Sequence, residues 1–131
     1  MLHRTIRVET RTREQLVDVT RRVAEAVRET GARDGVVILF VPHTTAAVTI
    51  NENADPDVQA DILAWLRKLV PADPSFRHAE GNSDGHIKST IVGVSLQVPL
   101  VEGRLLLGQW QGVYFCEFDG PRVRRLEVVV S

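Results

Sequence analysis

The sequence predicts an α+β fold, with two helices packed on a mostly antiparallel β-sheet that has enough strands to curl into a second layer. Three observations carry this. Leu16, Val19, Val23 and Val27, and again Val58, Ile62, Leu66 and Leu69, recur at three- and four-residue steps, as the buried stripe of a helix does. Val36 to Val41 is a continuous apolar run too short for a helix, and the last third of the chain alternates apolar and polar residues between turn signals. The order is β-α-β-β-α, followed by about four antiparallel strands.

Leu2 to Thr10 alternates around Ile6 and Val8, as a half-buried strand would. Thr12 with Gln15 reads as a capping box that opens the first helix, and Gly31 stops it. Val36 to Val41 has no polar interruption, so it is expected to be a central strand covered on both faces and ended by Pro42. Ala46 to Ile50 forms the next strand. Asp55 is placed to cap the second helix, with Pro56 in its first turn and Pro71 beyond its end. Pro71 to Gly85 has no hydrophobic periodicity and reads as a long loop. Ile87 to Val94 fits either a helical turn or a strand. Leu96–Leu100 and Arg104–Leu107 are expected to pair across Glu102-Gly103, and Gln111–Phe118 with Val123–Val130 across Asp119-Gly120-Pro121.

At 131 residues the chain is expected to be one domain, 1–131, with a sizeable core. Sixteen basic and 17 acidic residues are mixed along it for a net charge of -1, so no nucleic-acid face is expected. Cys116 alone excludes an intrachain disulfide and a cysteine zinc cage, and its apolar run points to burial. Met1 to Arg13 carries arginines rather than an apolar segment, and no stretch is apolar for long enough to span a bilayer; a cytoplasmic protein with no membrane partner is expected.

The densest polar cluster is His78-Ala79-Glu80-Gly81-Asn82-Ser83-Asp84-Gly85-His86, in which five functional side chains fall at alternate positions. Imidazole and carboxylate together suit either a divalent cation or a general acid–base pair, and the spacing does not choose between them. Pro42-His43-Thr44-Thr45 follows a buried strand, where loops often carry function. Asn51 and Glu52 precede a helix, and Gly108-Gln109-Trp110-Gln111-Gly112 offers an indole as core anchor or stacking wall. Lys88 lacks the glycine that precedes the lysine of a triphosphate-binding loop, but can meet a phosphate as a point charge.

With Thr49-Ile50-Asn51-Glu52-Asn53 and Asp55-Pro56-Asp57-Val58, these segments make nearly the whole chain resemble the YjbQ family. The resemblance implies an α+β homotrimer with polar residues in a cleft near the subunit boundary, and a weak, secondary thiamine-phosphate synthase activity. The matching polar positions are His43, Asn51, Glu52, Asp55, His78, Glu80, Asp84, His86, Lys88, Trp110 and Gln111; Gln109 stands where the family usually has Thr. On this reading His43, His78 and His86 hold a divalent metal, zinc or magnesium. Glu80, Asp84, Asn51 and Glu52 are the catalytic candidates, and Lys88, Trp110, Gln111 and Thr44 contact a small phosphorylated substrate. A metal-assisted phosphoester hydrolase and a non-catalytic trimeric ligand-binding protein are the alternatives.

Overall fold

The computed structural model describes residues 1–131. Its elements, in order, are β1 (Leu2–Glu9), β2 (Gln15–Asp18), α1 (Thr20–Thr30), β3 (Gly35–Phe40), β4 (Ala46–Glu52), α2 (Pro56–Leu69), α3 (Ser83–Val92), β5 (Ser95–Val101), β6 (Arg104–Leu105), β7 (Gln111–Glu117) and β8 (Val123–Val130). One sheet runs β1-β8-β3-β5-β6 and a second runs β2-β7-β4; every pairing is antiparallel. The main core lies between them, where Val8, Leu39, Leu126 and Val128 meet Val48, Val113 and Phe115, with Val23 and Val27 of α1 at the edge. Each such side chain contributes on the order of 1.5–3 kcal/mol through removal from water.

The architecture follows the α+β expectation, but five details depart from it. A third helix, α3, occupies what read as the end of the long loop and the undecided stretch after it. Its buried residues are Asp84, Gly85, Lys88 and Ser89, so the inward face is polar and no apolar stripe marks it. The first helix opens at Thr20, not after Thr12, because Gln15–Asp18 pairs as a strand with Glu117–Tyr114. There the side chain of Gln15 accepts from the Arg11 N–H instead of closing a capping box. Gly31 does end α1, at φ 76°, with its N–H donating to the Arg28 carbonyl.

β7 and β8 do not form a hairpin, since the chain crosses between sheets at Asp119–Arg122 and each strand finds its partners in a different layer. β3 is central, but it is covered on one face only: Val37 and Leu39 are buried while Val36 and Phe40 are 37% and 43% exposed. α2 is capped as expected, with the Asp57 N–H donating to Asp55 Oδ1 at 2.9 Å, yet its stripe is at most half-buried and Trp65 and Leu69 lie exposed. No helix is long and apolar enough to cross a membrane.

Candidate functional site

The site forms where three irregular segments meet the end of the second sheet. β3 gives way to Val41-Pro42-His43-Thr44, which is held at one side by the Val41 N–H donating to the Val94 carbonyl. α3 packs beside it: the Ser89 hydroxyl donates to the Ala46 carbonyl at 2.6 Å. A Cβ added at Gly85 would stand 2.9 Å from the Phe118 carbonyl oxygen. Gly85 therefore serves close helix-to-sheet packing rather than a turn. The turn belongs to Gly81, at φ 77°.

The result is a cleft with two arms sharing Pro42, His43, Thr44 and His86. The polar arm, of about 430 Å³, adds Thr45, His78, Glu80, Asn82, Asp119, Arg122 and Arg124 and contains no hydrophobic residue. The other arm, of about 590 Å³, adds Phe40, Val41 and Val94 beside Ser89, Thr90 and Gly93. Imidazoles from positions 43, 78 and 86 thus border one space, as the separated sequence motifs suggested.

His78 and His86 meet edge to face with ring centroids 5.2 Å apart, and His78 Nε2 lies 3.8 Å from Glu80 Oε2. His43 is held differently: its Nε2 accepts the Arg125 backbone N–H at 3.0 Å. The neutral ring then carries its proton on Nδ1 and offers a donor. Burial, reinforced by the positive charges of Arg124 and Arg125, pushes this imidazole below its ordinary value, which keeps it neutral near pH 7.

Beneath His43 and Thr45 lies a buried ion pair. Arg124 Nε donates to Glu117 Oε1 at 2.9 Å and Arg124 Nη2 to Thr45 Oγ1 at 2.8 Å, while the Thr10 hydroxyl and the Asp119 N–H donate to the same carboxylate. Burial alone would raise Glu117, but the bonds from Arg124 and Thr10 outweigh it and hold the carboxyl below its ordinary value. Arg122 is paired with Asp119, to which Asn82 Nδ2 also donates at 2.8 Å. The Asn82 Oδ1 is left buried with no partner.

Sequence reasoning overlooked Glu117, Asp119, Arg122 and Arg124. A signal was present for two of them. Arg124 falls on the same parity of β8 as buried Leu126, Val128 and Val130, and Glu117 interrupts an apolar run; two opposite charges at buried positions must find each other.

The structure does not bring the other candidates to this cleft within one chain. Asp84 and Lys88 share the opposite face of α3, where Arg13 grips Asp84 through two bonds of 3.0 Å and Lys88 Nζ reaches Glu14 at 2.6 Å and Asp84 at 3.3 Å. Arg67 completes the network on Glu14 at 2.8 Å. Burial would raise Asp84, yet the Arg13 and Lys88 hydrogen bonds hold it below the usual carboxylate value.

Asn51 and Glu52 pair with Gly112 and Gln111 at the far end of the β4–β7 ladder, whereas the cleft adjoins the Ala46–Glu117 end. Asn51 and Glu52 lie five and six residues along the strand from Ala46, about 17–20 Å away. There Asn51 Oδ1 accepts the Glu52 N–H, Gln111 Oε1 accepts the Gly108 N–H, and Trp110 is 58% exposed rather than a core anchor. Asp55 serves as the helix cap.

As placed, no three imidazole, thiol or carboxylate groups stand close enough together to hold a metal ion. The donor types nevertheless suit a divalent cation: two neighbouring imidazoles, a carboxylate beside one of them, and the orphaned Asn82 carbonyl oxygen. His78 and Glu80 are 42% and 74% exposed, free to change rotamer. His43 fits less well, because its Nε2 is already engaged.

Comparison with known proteins identifies the family and the fold. A family model described as UPF0047 protein YjbQ-like matches residues 4–131. A UPF0047 protein of Methanocaldococcus jannaschii is 50% identical over 123 residues, covering 94% of this chain and 89% of its own. The UPF0047 protein YugU of Bacillus subtilis is 48% identical over 92% of each. Among solved structures, a YjbQ/UPF0047 protein of Clostridium acetobutylicum superposes with a TM-score of 0.94 at 48% identity, covering 97% of this chain and 98% of that one. A hypothetical protein of Aeropyrum pernix gives 0.95 at 38% identity, covering 100% and 98%.

Proposed function

The chain belongs to the YjbQ-like UPF0047 family, and from its cleft we propose that it is a cytoplasmic protein binding a small phosphorylated molecule between His43, His78 and His86. We further propose that it acts there as a weak, metal-assisted transferase of the thiamine-phosphate synthase type. One observation carries the reading: three imidazoles from separate segments line a wholly non-hydrophobic arm that opens, through His43 and His86, into an arm walled by Phe40, Val41 and Val94. A charged end and a flat ring of one substrate are matched by these two environments.

The reaction joins a pyrimidine-methyl pyrophosphate to a thiazole phosphate. The methylene C–O bond breaks and its electron pair leaves with pyrophosphate, while the thiazole nitrogen lone pair forms the C–N bond. No proton is lost, so a general base is unnecessary. Glu80 and Asp119 then act on charge, stabilising the cationic carbon, and the Nδ1–H of His43 with the guanidinium of Arg122 holds phosphate oxygen. His78 and His86, with Glu80 and the Asn82 oxygen, are the residues proposed to hold a magnesium or zinc ion, which when bound would neutralise the departing pyrophosphate. His43 joins that ligand set only if it releases the Arg125 N–H.

Asp84 and Lys88 enter this proposal as the framework of α3, not as catalytic and phosphate-binding groups. Asn51, Glu52, Trp110 and Gln111 enter it only through assembly, as residues that a second copy brings to the cleft. The homotrimer is proposed on the exposed apolar face of Val36, Phe40 and Val101, and a solution mass equal to one chain removes it.

Purified protein with both precursors and magnesium is expected to release thiamine phosphate and pyrophosphate in equal amounts, and His86→Ala to abolish it. No product from the wild type removes the transferase. The exposure of His78 and Glu80, which leaves the polar arm open to water, favours metal-assisted phosphoester hydrolysis as the second reading. Phosphate release from a simple phosphoester, lost in the same variant, would establish that instead. If neither assay responds but a phosphorylated ligand raises the melting temperature, the protein is a binder without catalysis.

A further inference from the structure

Away from the cleft, a concave surface of about 740 Å³ is bordered by Arg28, Arg33 and Arg104, with Gly31, Ala32, Glu102 and Gly103 between them. We infer that this is a second anion site, recognising a phosphate-bearing small molecule such as pyrophosphate or a phosphate monoester. Three observations point there.

First, the three guanidinium groups are unpaired. None takes part in any ion pair of the chain, and none donates a side-chain hydrogen bond, whereas Arg13, Arg67, Arg122 and Arg124 are all committed to carboxylates. Three arginines against Glu102 and the adjoining Asp34 leave one positive charge in excess.

Second, the carbonyl end of α1, which would otherwise account for nearby cations, is already served. The Gly31 N–H takes the Arg28 carbonyl at 3.0 Å, the Thr30 hydroxyl takes that of Val27 at 2.5 Å, and Arg4 Nη2 takes that of Glu29 at 3.3 Å. None of the three guanidinium groups is therefore needed to bond those carbonyls.

Third, the walls are tied together. The Glu102-Gly103 turn has φ 52° and 79°, the left-handed pair that a two-residue hairpin loop needs. It is pinned to the opposite wall by the Gly103 N–H on the Arg33 carbonyl at 2.7 Å and the Glu102 N–H on Asp34 Oδ1 at 3.1 Å. Arg33 is thereby stacked against the turn, since a Cβ on Gly103 would lie 3.3 Å from its Nη1. A fixed frame carrying free planar forks suits bidentate binding of phosphate oxygens, with less ordering entropy lost than by loose lysines.

The test titrates wild type with pyrophosphate at physiological salt, following backbone amide shifts of 28–34 and 101–104 to localise the event. The expected result is saturable shifts there, with affinity lowered roughly tenfold or more in R28Q/R33Q/R104Q, all exposed positions. The same event should persist in H78A/H86A, which separates it from the cleft. A charge-matched R11Q/R21Q/K68Q variant should bind like wild type. Equal affinity in the arginine variant, equal weakening in the charge-matched variant, or a response confined to the cleft each overturns the proposal. So does a single-stranded oligonucleotide that binds these amides when pyrophosphate does not.

Discussion

Replacing Lys88 by Met distinguishes framework from ligand site on α3. The ammonium is 1% exposed and bonds Glu14 at 2.6 Å and Asp84 at 3.3 Å, so its removal strands two carboxylates that are nearly as buried. Breaking a buried pair in this way costs about 3–5 kcal/mol. Here each carboxylate keeps one arginine, Arg67 on Glu14 and Arg13 on Asp84, which places the loss near the lower end, about 3 kcal/mol. In a chain of this size that lowers the melting temperature by roughly 10 °C. Urea unfolding at neutral pH is the assay, alongside ligand titration of the cleft. The combination K88M/E14Q should be less destabilised than K88M, because the stranded charge is gone and Arg67 is left at the surface. A loss below about 1 kcal/mol, or unchanged stability with abolished phosphate binding, would refute the framework role and return Lys88 to the site.

Asp55→Ala removes the cap acceptor of α2 and is expected to lower stability by about 1 kcal/mol without altering cleft binding; no change in the urea midpoint would show that the cap contributes nothing. Stability should also fall in two steps on acidification. His43 has a lowered folded value, so its contribution is complete above its ordinary 6.5 and is lost as the pH drops through the lowered value. Glu14 and Glu117, ordinarily 4.5, and Asp84, ordinarily 3.8, are also lowered when folded, so their stabilisation fades only below those ordinary values. Unfolding midpoints measured across this range should lose the upper step in His43→Gln, and a single acid transition in the wild type would contradict the placement of His43.

Much of the fold was legible in the chain because its signals are local. Alternation around Ile6 and Val8, the Asp55-Pro56 helix start and Gly31 at a helix end each report a backbone preference that neighbouring residues impose on themselves. The convergence of His43 with His78 and His86 was inferable from the chemistry of their segments, but Arg122 and Asp119 were not, since they reach the cleft only by the crossing from β7 to β8. α3 was hidden for a different reason. Hydrophobic periodicity detects helices that bury apolar faces, and this one buries Asp84, Lys88 and Ser89.

By itself, then, the sequence determined the α+β plan, the end of α1 at Gly31, the start of α2 at Asp55 and the supply of imidazoles and carboxylates. The tertiary structure alone decided how those groups were divided. Residues two apart on α3 face different sides of a helix, so His86 enters the cleft while Asp84 and Lys88 turn to an internal charge network. Residues on one strand lie a fixed rise apart, which carries Asn51 and Glu52 about 17–20 Å from the end of the strand that adjoins His43's loop, however similar their chemistry.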